Sequence, residues 1–346
     1  MPHRLWLALT IILWTGPAWP AAIDAQAIND AEWRDKKSQQ QTLSPVIVKL
    51  QVLLDRAHFS PGEIDGKPGE NVDKAIAAYA AAQGVTAGGG MSAELWQKLI
   101  ATFKDPIIVE HKISEADVKG PFAEKLPSKM EDMKDLPALS YTGPKEKIAE
   151  QFHMSQELLA ALNPGQSFDK LGDTIMVANV SREPLRAKAA RIEIDKTHQT
   201  LKIFDKSNTL VAVYPVTAGS TEKPAPLGIL KVTSVAKNPT YRYNPDYAFK
   251  GVKSREAFTI KPGPNNPVGL VWVGLNREGY GIHGTPDPSK ISKSESHGCI
   301  RLTNWDALQL ASAVTKGVVV EFTGNETARR AARADARPAK SRHRRR

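Results

Sequence analysis

The sequence predicts a multidomain chain whose largest part is a mainly β domain built around a cysteine–histidine centre. A small three-helix module and a small α/β segment precede that domain. Three observations predict this. Apolar residues recur at helical spacing between Leu43 and Phe103, and the pattern turns to strand-like alternation after Ala190. The single cysteine, Cys299, stands two residues after His297 and sixteen after His283. With 346 residues, 41% of them hydrophobic, the chain has room for two or three domains of ~100–200 residues with real cores.

The first stretch, 1–22, reads MPHRLWLALTIILWTGPAWPAA. A short basic start, an apolar run from Leu5 to Trp14 and closing small residues predict a secretory signal peptide. That run is shorter than the ~20 residues of a membrane span, although an uncleaved anchor is the alternative reading. The mature chain is therefore expected outside the cytoplasm, where a lone cysteine cannot close a disulfide within its own chain. Residues 23–42 are polar and Gln-rich and read as a linker.

Residues 43–103 read as a helical module. Val46, Val48, Leu50, Leu53 and Leu54 mark one helix, and the Pro-, Gly- and Asp-containing loop FSPGEIDGKPGENV follows. DKAIAAYAAAQG gives a second helix stopped by Gly84, and SAELWQKLI a third that starts at Ser92. Residues 104–137, with four prolines and mixed charge, read as an extended connector. In 138–180, KEKIAEQF and SQELLAALN predict helices, the second capped by Ser155, and TIMVANV predicts a strand. From 190 to 323, RIEIDKTHQTLKIF predicts a hairpin, and TLVAVYPVTAG, GILKVTSVA and LVWVGL continue the β pattern. A helix capped by Thr303, with Asp306 three residues on, and a last strand, VVVEF, close the domain.

The net charge of +10 is concentrated at the end of the chain. Residues 325–346 hold nine Lys or Arg against two acids, so seven of the ten net charges lie there. This tail lacks aromatics and periodic apolar residues and reads as disordered. Its composition suits contact with anionic polymers or membrane headgroups, and equally a solvated end. A nucleic-acid partner is excluded for an exported chain.

Cys299 attacks a carbonyl only as thiolate, and an ordinary cysteine titrates near ~8.5, so a base must take its proton. His283 and His297 are the candidates. His283 would reach the sulfur if its strand lies beside that of Cys299, while His297 faces the same side if its segment is extended. Gly284 and Gly298 leave room for a substrate backbone, and N–H groups at Gly298 and Cys299 could hold an oxyanion. The helix after Thr303 adds a positive end nearby. An inert buried thiol and a zinc ligand set are the competing readings of the same residues.

Three segments resemble known families. LQVLLDR, the Ile64-Asp65-Gly66 turn with Asn71 and Ala75, and LWQKLI are similar to the peptidoglycan-binding three-helix module. IAEQF, LLAALNP and GDTIMV resemble the lysin motif, which binds N-acetylglucosamine chains. His283-Gly-Thr followed by Ser296-His297-Gly298-Cys299-Ile300-Arg301-Leu302, with PVTAGS, PLGILKVT and PGPNNPVGLVWV upstream, resembles the signature of L,D-transpeptidases of the YkuD type. Ser292 stands where that family commonly has glycine.

The signal peptide implies a periplasmic location, and the YkuD resemblance implies a β-sandwich and a cysteine acyltransferase that needs no cofactor and no metal. It makes Cys299 the nucleophile and His283 the base, oriented by the Gly284 carbonyl. His297 becomes a supporting residue, and Arg301, Ser296, Gly298 and Thr285 become substrate-side residues. Its implied partners are peptidoglycan stem peptides and glycan strands, with a stem peptide, a wall-anchored protein or water as acceptor, and the chain is expected to be a monomer. A catalytically silent wall-binding protein is the reading from another class.

Overall fold

The computed structural model describes residues 23–34, 43–85, 90–180, 184–220, 224–247, 252–294 and 298–324. The expected leader (1–22), much of the linker, the basic tail (325–346), Ser296 and His297 lie outside the described residues. No helix among the described residues is long and apolar enough to cross a membrane.

The N-terminal half is helical. A short α1 (Ala25–Asn29) precedes α2 (Pro45–Arg56), α3 (Glu70–Ala82) and α4 (Ala93–Thr102). Each boundary has a local cause. Pro45 occupies the first turn of α2, where its missing N–H costs nothing. Ser92 caps α4 through the Leu95 N–H, and α3 runs out into Gly84 at φ +66°.

The segment 104–137 is not simply extended. It holds β1 (Ile108–Lys112), the short α5 (Glu115–Val118) and a 3₁₀ turn over Met130–Asp135. β1 pairs antiparallel with β2 (Thr174–Ala178), the strand that closes the unit formed by α6 (Pro144–Gln151) and α7 (Gln156–Leu162). Local composition hid this strand, because its partner lies more than sixty residues away. Leu50, Leu53, Ile76, Trp96, Ile108, Leu158 and Val177 all belong to one buried cluster, so 43–103 and 138–180 share a core.

The C-terminal half is β-rich. β3 (Arg191–Asp195), β4 (Thr200–Phe204), β5 (Leu210–Pro215), β6 (Thr217–Ala218) and the long β7 (Gly228–Lys237) come first. The small β8 (Tyr241–Tyr243) and β9 (Phe258–Ile260) pair with each other, and then come β10 (Val271–Leu275), β11 (Gly281–His283) and β12 (Ile300–Arg301). Helix α8 (Asn304–Ala313) and β13 (Val319–Thr323) finish the domain.

Nine of these strands form one sheet in the order β5-β4-β3-β13-β7-β10-β11-β12-β6. β5 and β6 sit at opposite edges, yet only Val216 separates them in sequence. The sheet must therefore curl until its edges approach. The two-layer packing expected of a sandwich is reached here by one continuous sheet that turns at β7. Ile192, Ile203, Tyr214, Val232, Val273, Ile282 and Ile300 fill the space inside, with Ala307 and Leu310 of α8.

The helical half is fastened to an edge of this sheet. Ser60 N–H donates to Val213 O at 2.8 Å, and Val213 N–H donates to His58 O at 2.9 Å. That pairing covers the open side of β5, an edge that would otherwise offer unpaired groups to another chain.

Candidate active site

β11 and β12 are parallel neighbours, with Ile282 opposite Ile300 and His283 opposite Arg301. Side chains alternate faces along a strand. Ile282 and Ile300 point into the core, at 0% and 1% exposure. His283 and Arg301 consequently share the other face, directly across from each other, and Cys299 immediately precedes β12.

Trp272 of β10 pairs with His283 on its other flank, and the two rings stack with centroids 5.6 Å apart and planes 20° apart. Gly281 makes this stack possible. A Cβ at 281 would lie 2.5 Å from the indole.

The imidazole of His283 is buried, and its Nδ1 lies 2.7 Å from the Gly284 carbonyl oxygen. A carbonyl only accepts, so Nδ1 carries the proton and Nε2 is left with a lone pair. Burial, followed by the positive charge of Arg301, pushes the His283 pKa down to about 3, against a smaller upward pull from the Gly284 bond. The ring is therefore neutral at physiological pH.

The thiol of Cys299 is half-buried and donates to the Gly279 carbonyl at 3.5 Å. Burial lowers the Arg301 guanidinium below its ordinary value, while Cys299, Asp287 and Tyr241 act in the opposite direction. Arg301 therefore interacts with both His283 and Cys299. Its charge favours the thiolate over the thiol and the neutral ring over imidazolium.

Gly298 is buried and has φ +95°, a conformation suited to glycine, immediately before the nucleophile candidate. Thr285 is buried, and its hydroxyl accepts from the Asp287 N–H at 3.2 Å, so that hydroxyl shapes the turn after His283. Ser292 has φ +63° and is held by two bonds: its N–H donates to Thr217 Oγ1 at 2.9 Å and its hydroxyl donates to Val216 O at 3.0 Å. These compensate for a left-handed backbone at a position where glycine would be unstrained. Among the described residues, no three His, Cys, Asp or Glu side chains cluster so as to hold a metal ion.

Sequence reasoning missed Trp272 and Asn304. Asn304 opens α8, and its Oδ1 accepts from Leu270 N–H at 3.0 Å. A Cβ at Gly284 or Gly269 would fall 2.3 or 2.1 Å from that oxygen, so both backbones lie flat against the Asn304 amide. The tight pairs of glycine with a polar residue can be read only once the strands are placed.

Residues 189–321 match the model of the YkuD family, the L,D-transpeptidase catalytic domain. The chain is 30% identical over 180 residues to a Bacillus licheniformis protein named as L,D-transpeptidase YkuD, covering 51% of this chain and 92% of that one. It is 31% identical over 150 residues to Bacillus subtilis YqjB, named the same way, covering 42% and 76%. A third relative, Escherichia coli YbiS, is 29% identical over 189 residues, covering 52% of this chain and 60% of the relative. The chain therefore belongs to the YkuD family of L,D-transpeptidases.

Proposed function

We propose that the chain is a periplasmic peptidoglycan L,D-transpeptidase in which Cys299 is the nucleophile and His283 its base. The observation that carries this reading is the pinned imidazole. Its Nδ1 proton is held by the Gly284 carbonyl, which leaves the Nε2 lone pair available on the strand beside β12, whose first residue follows Cys299.

The first step transfers the thiol proton to Nε2 as the sulfur attacks the carbonyl between the third residue and the D-alanine of a tetrapeptide stem. With His283 held near a pKa of about 3 its ring rests unprotonated, with Nε2 open to take the thiol proton as the sulfur attacks. The imidazolium so formed is a strong acid. It returns its proton to the departing D-alanine nitrogen as the C–N bond breaks, leaving a thioester on Cys299. An acceptor amine then attacks the thioester, Nε2 takes a proton from that amine, and the Cys299 sulfur leaves and is reprotonated. N–H groups at Gly298 and Cys299 hold the oxyanion, and Arg301 faces the negative charge of thiolate or substrate carboxylate. A stem-peptide amine as acceptor gives a 3–3 cross-link.

The upstream segments 43–103 and 138–180 would hold the enzyme on glycan strands, raising the effective concentration of an insoluble substrate. Intact mass after incubation with a disaccharide tetrapeptide tests the reading. The native chain should gain the donor mass less D-alanine, and Cys299→Ala should gain nothing. Turnover retained by Cys299→Ala would overturn the assignment.

A further inference from the structure

The helical half meets the catalytic face at a buried carboxyl. Glu150, in the last turn of α6, is 9% exposed and lies against the start of α8. Its two oxygens are 3.1 and 3.3 Å from Asn304 Nδ2, and Tyr141 OH donates to one of them at 3.4 Å. Asn304 Nδ2 also donates to the Pro264 carbonyl at 3.1 Å. An amide nitrogen has two hydrogens, and these two acceptors take them. The amide can then face only one way, with Oδ1 toward Leu270 N–H and the flat backbones of Gly269 and Gly284. The Gly284 carbonyl on that shelf is the one that orients His283.

The same upstream stretch grips the loop that supplies Pro264. Leu139 N–H donates to Pro262 O at 3.0 Å, and Asn265 N–H donates to Leu139 O at 2.9 Å. Asn265 Nδ2 donates to Ser140 O and to Glu146 Oε1, each at 2.9 Å. Gly263 has φ +147° and no room for a side chain, since a Cβ there would sit 2.1 Å from the Leu139 oxygen.

We propose that Glu150 is a positioning residue for acyl transfer: by holding the Asn304 amide it sets the Gly284 carbonyl, and with it the direction of His283 Nε2. This rests on the reading of His283 as the base. It makes 138–180 part of the catalytic unit, not only a tether to the wall. Burial raises the Glu150 carboxyl to about 8, consistent with a largely neutral group at the seam. An isosteric amide can therefore replace it, and an apolar side chain cannot.

The test uses the full chain and follows Cys299 acylation by a tetrapeptide donor, with time-resolved intact mass and donor concentration varied. Glu150→Leu removes the acceptor at similar volume, Glu150→Gln keeps an acceptor oxygen, and His283→Ala serves as comparator. Glu150→Leu should slow acylation at saturating donor by about tenfold to a hundredfold, as expected when a reacting group is misaligned. The half-saturating donor concentration should stay within about twofold. Glu150→Gln should recover most of the rate, and the Nδ1–H proton resonance of His283 should move in the leucine variant only. If Glu150→Leu does not fold, Glu150→Asp, one methylene short of Asn304, is judged by the same criteria.

A folded Glu150→Leu or Glu150→Asp that acylates at the native rate would overturn the proposal. So would a Glu150→Gln as slow as the leucine variant. A His283→Ala that acylates normally would instead refute the base assignment, so the two failures are told apart.

Discussion

Replacing Asp306 by asparagine should remove most of one proton's worth of pH dependence from the stability of this protein. Asp306 lies in α8 at the seam with the helical half, 3% exposed, with Ser60 Oγ donating to its Oδ2 at 3.0 Å. Burial first, and then the nearby Asp55, raise its pKa from 3.8 to about 7, while Thr303, His153 and Ser60 pull it down. A carboxyl raised on folding contributes stability that is fully present below its unfolded pKa and is lost as pH rises through the folded one. Between these limits the native state binds the extra proton, and stability falls by about 1.4 kcal/mol per pH unit. Over the roughly three units separating the two values the loss amounts to about 4 kcal/mol. Interaction with the charges packed around it lowers the share of Asp306 to about 2–4 kcal/mol. Urea unfolding at pH 4, 6 and 8, followed by tryptophan fluorescence, measures it. Asp306→Asn should gain on the native chain by that amount between pH 4 and pH 8. A difference between the two proteins that stays constant within about 1 kcal/mol across this range would refute the reasoning.

Three further expectations follow from the site. The acid limb of the Cys299 acylation rate should lie below pH 5, because His283 is held neutral down to about pH 3, and a limb centred on the ordinary histidine value near ~6.5 would contradict that placement. Gly281→Ala drives a methyl into the Trp272 indole, which should cost about 1–3 kcal/mol in urea titrations and slow acylation by displacing the His283 stack. Ser292→Ala keeps the left-handed backbone and loses the bond to Val216 O, so it should destabilise by about 1 kcal/mol, whereas Ser292→Gly should recover part of that loss through relief of the backbone strain.

Much of the local structure was legible in the sequence, because its causes are local. Ser92, Ser155 and Thr303 cap the helices that their positions announce, through the N–H of Leu95, Leu158 and Asp306. The hairpin of β3 and β4 follows from alternation alone. What the sequence hid depends on distant partners. The motif names Cys299 and His283, but the parallel pairing that sets His283 against Arg301, two residues beyond Cys299, needs β11 and β12 side by side. Asp306 reads as a helix-cap residue, and its shifted titration comes first from burial at the seam and then from Asp55, far upstream in α2. Glu150 looks like any charge on an amphipathic helix until Asn304 is seen against it.

The place of β13 bears on how the molecule is assembled. It is the last strand described, yet it lies in the middle of the sheet, parallel to β3 on one side and antiparallel to β7 on the other. A ribosome delivers β3 more than a hundred residues before it delivers that partner. Until then the facing edges of β3 and β7 lack the strand that joins them, and the sheet is open at its centre. Ordering must wait for the late strand, which gives this half of the chain high contact order and a slow, all-or-none maturation. During that interval, exposed strand edges are vulnerable to self-association.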